Sequence, residues 1–359
     1  MNAEVHEAAT TGAGFSGQRT PSDSRLPAPA LSNPRNGALD FTKGALVLCM
    51  VVYHCFNYFY RDQNVLKYLH FLPPSFIFIT GFMITGIYLA KYDPGDARLH
   101  GRLFVRGLKL LAIFVGLNLA VNLLFRSNYD QRQLGLASFV TQWETVFLTG
   151  GSRAAVFEVL LPISYLLLLM GVLLKGYRLI PNFLQAVAAV TVIGCLILAW
   201  QGRLPANLDL LSMGLLGIVA GFVPRPRIDR FTSHLAALGL AYLAYLVVIS
   251  IWYPTYALNI LGICLTLALF YGVGVQSGET GLFQRQIILL GKYSLLAYIV
   301  QIGALQGLLR VMRHLDWSAG RLPVALIATS LLMLAAIEAV DYARTKSGTV
   351  NLAYKAVFG

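Results

Sequence analysis

The chain reads as an all-α, polytopic integral membrane protein. Hydrophobic residues make up 57% of it and charged residues 12%, its mean hydropathy is +0.65, and apolar stretches about twenty residues long recur along it. A soluble domain has no use for so much apolar surface.

Residues 1–38 are rich in Ala, Ser, Gly, Thr and Pro and hold no apolar run, so they read as a disordered cytoplasmic tail rather than a secretory signal. About ten transmembrane helices follow, near 41–60, 68–90, 104–125, 154–175, 181–200, 207–223, 231–252, 256–276, 285–309 and 322–343. The stretch 134–149 is shorter and mixed, which suits an interfacial helix with Trp143 at headgroup depth. One transmembrane domain, 39–345, then leads into a short cytoplasmic C-terminal tail, 346–359.

With the N-terminus inside, the inner segments carry about two-thirds of the 28 Lys and Arg, so both termini are expected in the cytoplasm. The net charge of +12 lies at helix ends rather than on one soluble face, which argues for membrane lipid and against nucleic acid as partner. No organellar targeting segment is seen, which fits a multi-pass protein of a bacterial inner membrane. Cys49, Cys55, Cys195 and Cys264 sit in apolar stretches without metal-type spacing, so neither disulfide nor metal is expected. Pro73–Pro74 and Pro162 interrupt spans but form no matched pair, which weighs against a repeat-built transporter.

The first span, LDFTKGALVLCMVVYHCFNYF, carries the most informative pattern. Asp40, Lys43, His54 and Asn57 make a polar stripe along it. Lys43 and His54 are eleven residues apart, close to three whole turns, so they share a helix face about 16 Å apart. An ionisable side chain inside a lipid-spanning helix is costly and marks a functional site by default; a packing or pore-lining histidine is the plainer alternative.

In the second span, Gly81 and Gly86 permit close helix approach, and Thr80 and Thr85 can bond back to the backbone or across helices. Arg102, Arg106 and Lys109 recur at i, i+4, i+7 as a basic stripe, suited to phosphate or to lipid headgroups. Ser294, Tyr298 and Gln301 repeat that spacing as a polar face, and a glutamine in mid-membrane needs a neighbouring helix or a wet cavity. His70 lies at the outer mouth of span two and Glu158 one turn inside span four. Asp209, Glu338 and Asp341 can each pair with a nearby basic group, and no two acids are spaced as a dyad. His6, His100, His234 and His314 read as solvated loop or terminal residues.

These residues resemble the transmembrane acyltransferase superfamily, especially the acyltransferase-3 family. That family's first helix reads LDxxRG followed about ten residues later by a histidine; Leu39-Asp40, Lys43-Gly44 and His54 match, with Lys for Arg. Thr80-Gly81-Phe82 stands where the family has Ser-Gly-Phe, and Arg102 to Lys109 matches its arginine-rich third helix. Leu290-Gly291, Ser294 and Tyr298 fit LGxxSxxxYxxH, with Gln301 for the histidine. Pro74 to Gly81 is also similar to the second helix of heparan-α-glucosaminide N-acetyltransferase relatives. The resemblance covers most of residues 39–310.

It implies a ten-helix, acyl-CoA-dependent acyltransferase, commonly using acetyl-CoA, that modifies a hydroxyl or amine of a carbohydrate acceptor such as a polysaccharide. His54 would be general base or acyl carrier, oriented by Asn57 or, through another group, Asp40. Lys43, Arg102, Arg106 and Lys109 would hold the CoA phosphates, with the pantetheine arm lying along the helix toward His54. Tyr298, Gln301, His70 and Glu158 would face the acceptor. The competing expectations are a proton-coupled transporter or flippase of a sugar or lipid-linked substrate, and a structural subunit without chemistry.

Overall fold

The computed structural model describes residues 36–60, 62–124, 135–152, 154–180, 182–278, 281–317 and 320–358. The expected N-terminal tail falls almost wholly on 1–35, outside the described residues, as does His6. Among the described residues every regular element is a helix.

Helix α1 (Gly37–Cys55) is capped by Asn36, whose side chain accepts the Leu39 N–H at 3.2 Å. It runs on as a π-helical turn, Phe56–Tyr60. After α2 (Gln63–Leu66), α3 (Leu72–Met83) opens on Pro73 and Pro74, in the first turn where a missing N–H costs nothing, and ends in a second π-helical stretch, Ile84–Leu89. The chain continues through α4 (Ala97–Leu124), α5 (Leu136–Thr141), α6 (Leu160–Leu179), α7 (Phe183–Trp200), α8 (Ala206–Ala220) and α9 (Arg225–Thr232). It closes with α10 (Leu235–Ile251), α11 (Tyr256–Ser277), α12 (Leu282–Lys292), α13 (Ser294–His314), α14 (Arg321–Lys346) and α15 (Gly348–Phe358).

Each of the ten expected spans contains a helix. Among the described residues eight are long and apolar enough to cross a membrane, and nine if α8 and α9, bent by 106°, count as one. Helix α10 is apolar but shorter. The chain is thus an all-α, multi-pass membrane protein.

Several boundaries differ from expectation, among them the start of α4, at Ala97 rather than 104. The fourth span begins at Leu160 rather than 154, because Pro162 belongs in a first turn and the preceding backbone is bonded elsewhere. The ninth is broken at Tyr293 into α12 and α13. The C-terminal tail is largely the helix α15. There Arg344 lies 4.0 Å from the Tyr354 ring and donates to Asn351 Oδ1 at 2.9 Å. Tyr293 donates to Asp341 at 2.5 Å, with Lys292 at 2.7 Å from the same oxygen.

Backbone-to-backbone contacts set the bundle. A Cβ on Gly44 would fall on the Ile287 carbonyl oxygen, and one on Gly291 on that of Asp40, so α1 and α12 touch along their main chains. Gly81 and Gly217 do the same for α3 and α8, where Thr85 Oγ1 also donates to the Ile218 carbonyl at 2.7 Å. Gly86 is less tightly placed, and Thr80 bonds back to Phe76 at 2.9 Å.

Candidate functional site

A cavity of about 440 Å³ opens among the end of α1, the start of α3, the loop before α6 and the helices α8, α11 and α13. Its size is that of a small-molecule site. Helix α1 supplies Met50, Tyr53, His54, Asn57 and Tyr58 to its wall. Asn57 and Tyr58 lie in the π-helical turn, a distortion that recurs at functional sites because it re-aims side chains.

His54 stands in an aromatic enclosure. Its ring centroid is 5.3 Å from Tyr53, 6.4 Å from Tyr58 and 6.1 Å from Tyr298. Phe157 meets Tyr298 edge-on at 5.8 Å, and Tyr58 accepts a hydrogen bond from Gln306 at 2.7 Å. Five of the expected site residues, His54, Asn57, His70, Glu158 and Tyr298, therefore share one cavity.

The wall that presents Glu158 is fixed by two asparagines inside α4. Asn118 donates to the Val156 carbonyl at 2.8 Å and accepts the Val156 N–H at 2.6 Å. Asn122, one turn on, donates to the Ala154 carbonyl at 3.2 Å. Both are almost fully buried. They satisfy backbone that lipid or apolar core would leave unpaired, and so let 154–159 stay non-helical. Phe157 is held at φ 60°, a left-handed conformation that costs a bulky residue roughly 1–3 kcal/mol.

The other expected residues lie elsewhere. Asp40 and Lys43 form a buried ion pair at 2.6 Å, and neither lines the cavity. Asp40 is fourteen residues before His54, about 21 Å along the helix, so it does not orient the imidazole directly. Arg102 donates to the Tyr92 hydroxyl and Arg106 to that of Tyr88, with guanidinium carbons 5.0 and 5.9 Å from those ring centroids. Lys109 follows on the same helix, outside the cavity lining. Gln301 is fully buried, and its amide has no hydrogen-bond partner among the described residues. It neighbours Tyr298 and Ile302 in sequence but does not line the cavity.

On α1 the cavity ends at Met50, seven residues or about 10 Å from Lys43, and Leu46 and Val47 between them are fully buried. Similarly, Arg106 precedes Asn118 by twelve residues, about 18 Å of helix. Neither basic group reaches the cavity lining.

The chain matches no protein-family model, no curated protein and no solved structure.

Sequence reasoning passed over several contributors. Asn118 and Asn122 were visible as an i, i+4 polar pair in an apolar span. Asn259 also lines the cavity, as does Asp209, which the sequence showed as able to pair with a nearby basic group and which makes no ion pair with a described residue. Asp341 does pair, with Lys292, and Glu338 accepts from Gln286 at 2.6 Å. His100 is not a loop residue: it lies in α4, its ring nitrogens 2.8 and 2.9 Å from the carbonyls of Gly171 and Pro94. No group of three metal-ligating side chains occurs among the described residues.

Proposed function

We propose that the chain is an integral-membrane acyltransferase. It moves an acyl group, acetyl in the simplest case, from acyl-CoA to a hydroxyl or amine of a carbohydrate or related acceptor held in the His54 cavity. The observation that carries this reading is the convergence of His54 with Asn57, Glu158 and Tyr298 on one cavity of small-molecule size. In this scheme the chain crosses the membrane ten times, with both termini in the cytoplasm of a bacterial cell.

His54 takes the proton of the acceptor hydroxyl as that oxygen attacks the thioester carbonyl. The tetrahedral intermediate then collapses, the C–S bond breaks, and the imidazolium returns the proton to the leaving CoA thiolate. Lys43 and the Arg102, Arg106, Lys109 stripe meet the phosphates. The packed interval Leu46–Met50 must open for the pantetheine arm to reach the imidazole.

The test is acetyl-CoA consumption by the purified protein with candidate acceptors, alongside His54→Ala. Loss of turnover with an unchanged melting temperature is expected; turnover retained in the variant removes His54 from the mechanism.

A second reading is favoured by that packed interval and by the lack of Lys or Arg among the described lining residues. It makes the chain a proton-coupled transporter or flippase, with His54 in the transport path. It expects substrate flux in proteoliposomes without any acyl donor. Acetyl-CoA at a hundred times its Kd stabilises an acyltransferase by roughly 2.7 kcal/mol, and leaves a transporter's melting temperature unmoved.

A further inference from the structure

The proposed transfer step leaves the Asp209–Asn259 arm of the cavity without a role. Asp209 stands in the first turn of α8 and Asn259 in the first turn of α11. Ser212, one turn beyond Asp209, lies 2.8 Å from the hydroxyl of Tyr256, itself one turn before Asn259. That buried bond sets the two helices in register, so Asp209 and Asn259 come to adjoining walls of the same space. The Asp209 carboxylate makes no ion pair with a described residue, and Asn259 Oδ1 is buried with no donor among them.

Tyr53, Tyr58, Phe157 and Tyr298 supply aromatic rings to the same lining. Oxygen acceptors and ring systems lining one cavity make the chemistry that recognises an organic cation. A carboxylate or phosphate on the ligand would meet the Asp209 charge at low dielectric and be repelled.

We propose that the Asp209–Asn259 arm binds an ammonium group of the acceptor, with the aromatic rings covering the carbon skeleton around it. In taking the cavity as the acceptor site this rests on the acyl-transfer reading, and it adds the acceptor's charge. The ammonium is a handle, distinct from the group acylated at His54.

The probes are choline and 3,3-dimethyl-1-butanol, which share a shape and differ in charge. Each is titrated against the purified full-length protein, following melting temperature and displacement of radiolabelled choline. Choline is expected to raise the melting temperature saturably and the neutral alcohol to leave it unmoved. Asp209→Asn should weaken choline by roughly tenfold or more, and Asn259→Asp, which adds a second carboxylate and guards against a misfolded first variant, should tighten it.

Equal responses to the two probes, no response to choline, or choline binding indifferent to both substitutions overturns the proposal. Acetyl-CoA stabilisation, read on the same preparations, keeps the two ideas apart. Choline binding without acetyl-CoA binding sustains the cation site and removes the acyltransferase, and acetyl-CoA binding with no preference for charge does the reverse.

Discussion

Asn118 holds Val156 by both faces of its peptide units, donating to its carbonyl and accepting its N–H. With Asn122, which bonds the Ala154 carbonyl, it fixes the loop that carries Glu158 two residues farther on. Asn118→Leu is expected to lower stability by about 1–3 kcal/mol, since it leaves both backbone groups buried and unsatisfied. It should also abolish ligand binding in the cavity at temperatures where the protein is still folded. Thermal melts with and without ligand check both effects. Binding that survives in the folded variant would show that the loop is held by other means.

The α1–α12 crossing tolerates no side chain. Gly291→Val drives a branched carbon into the Asp40 carbonyl, and overpacking of this kind costs about 1–3 kcal/mol or more. Gly101→Ala, on α4 with open space around it, should instead gain about 0.5–1 kcal/mol from helix propensity. The pair compares two glycine substitutions in helices, and melting temperatures moving in opposite directions are the expected result.

Asp40 and Lys43 are both largely buried, with 5% and 14% of their side chains exposed, so removing the Asp40 charge leaves a buried ammonium without its carboxylate. Asp40→Asn should cost about 3–5 kcal/mol, and Asp40→Asn with Lys43→Met should recover much of it. A double-mutant cycle measures the coupling. If the double variant is stable yet no longer stabilised by acetyl-CoA, Lys43 has a ligand role beyond the ion pair.

Gln301 is buried with an amide that meets no described partner. Gln301→Met keeps the volume and removes the polar group, so the melting temperature should rise. A fall would mean that the amide is satisfied by bound water or ligand, and a difference in hydrogen–deuterium exchange along α13 would locate it.

Much of the architecture could be read from hydropathy. The apolar runs announce their helices whatever they pack against, because lipid demands an internally bonded backbone. The polar stripe on α1 singled out His54 and Asn57 for the same reason: a polar side chain in that setting carries a cost that needs a cause. Of the two glycines marked for close helix approach, Gly81 sits at such a crossing and Gly86 does not, and Gly44, Gly217 and Gly291, which also do, were not marked.

Tertiary contact decided the rest. No periodicity says that His70, Glu158, Asp209 and Asn259, drawn from four separate segments, meet His54 across one cavity, because that depends on how helices lean. Nor does a basic stripe declare whether its guanidiniums face a ligand or, as with Arg102 and Arg106, the tyrosines Tyr92 and Tyr88 of the preceding segment. The loop at 154–159 looked helical because its composition is apolar, and it is not helical because two asparagines on another helix take its hydrogen bonds. Sequence determines which groups are costly to bury; only the fold determines which partners offset that cost, since hydrogen bonds and close packing act over a few ångströms and are blind to distance along the chain.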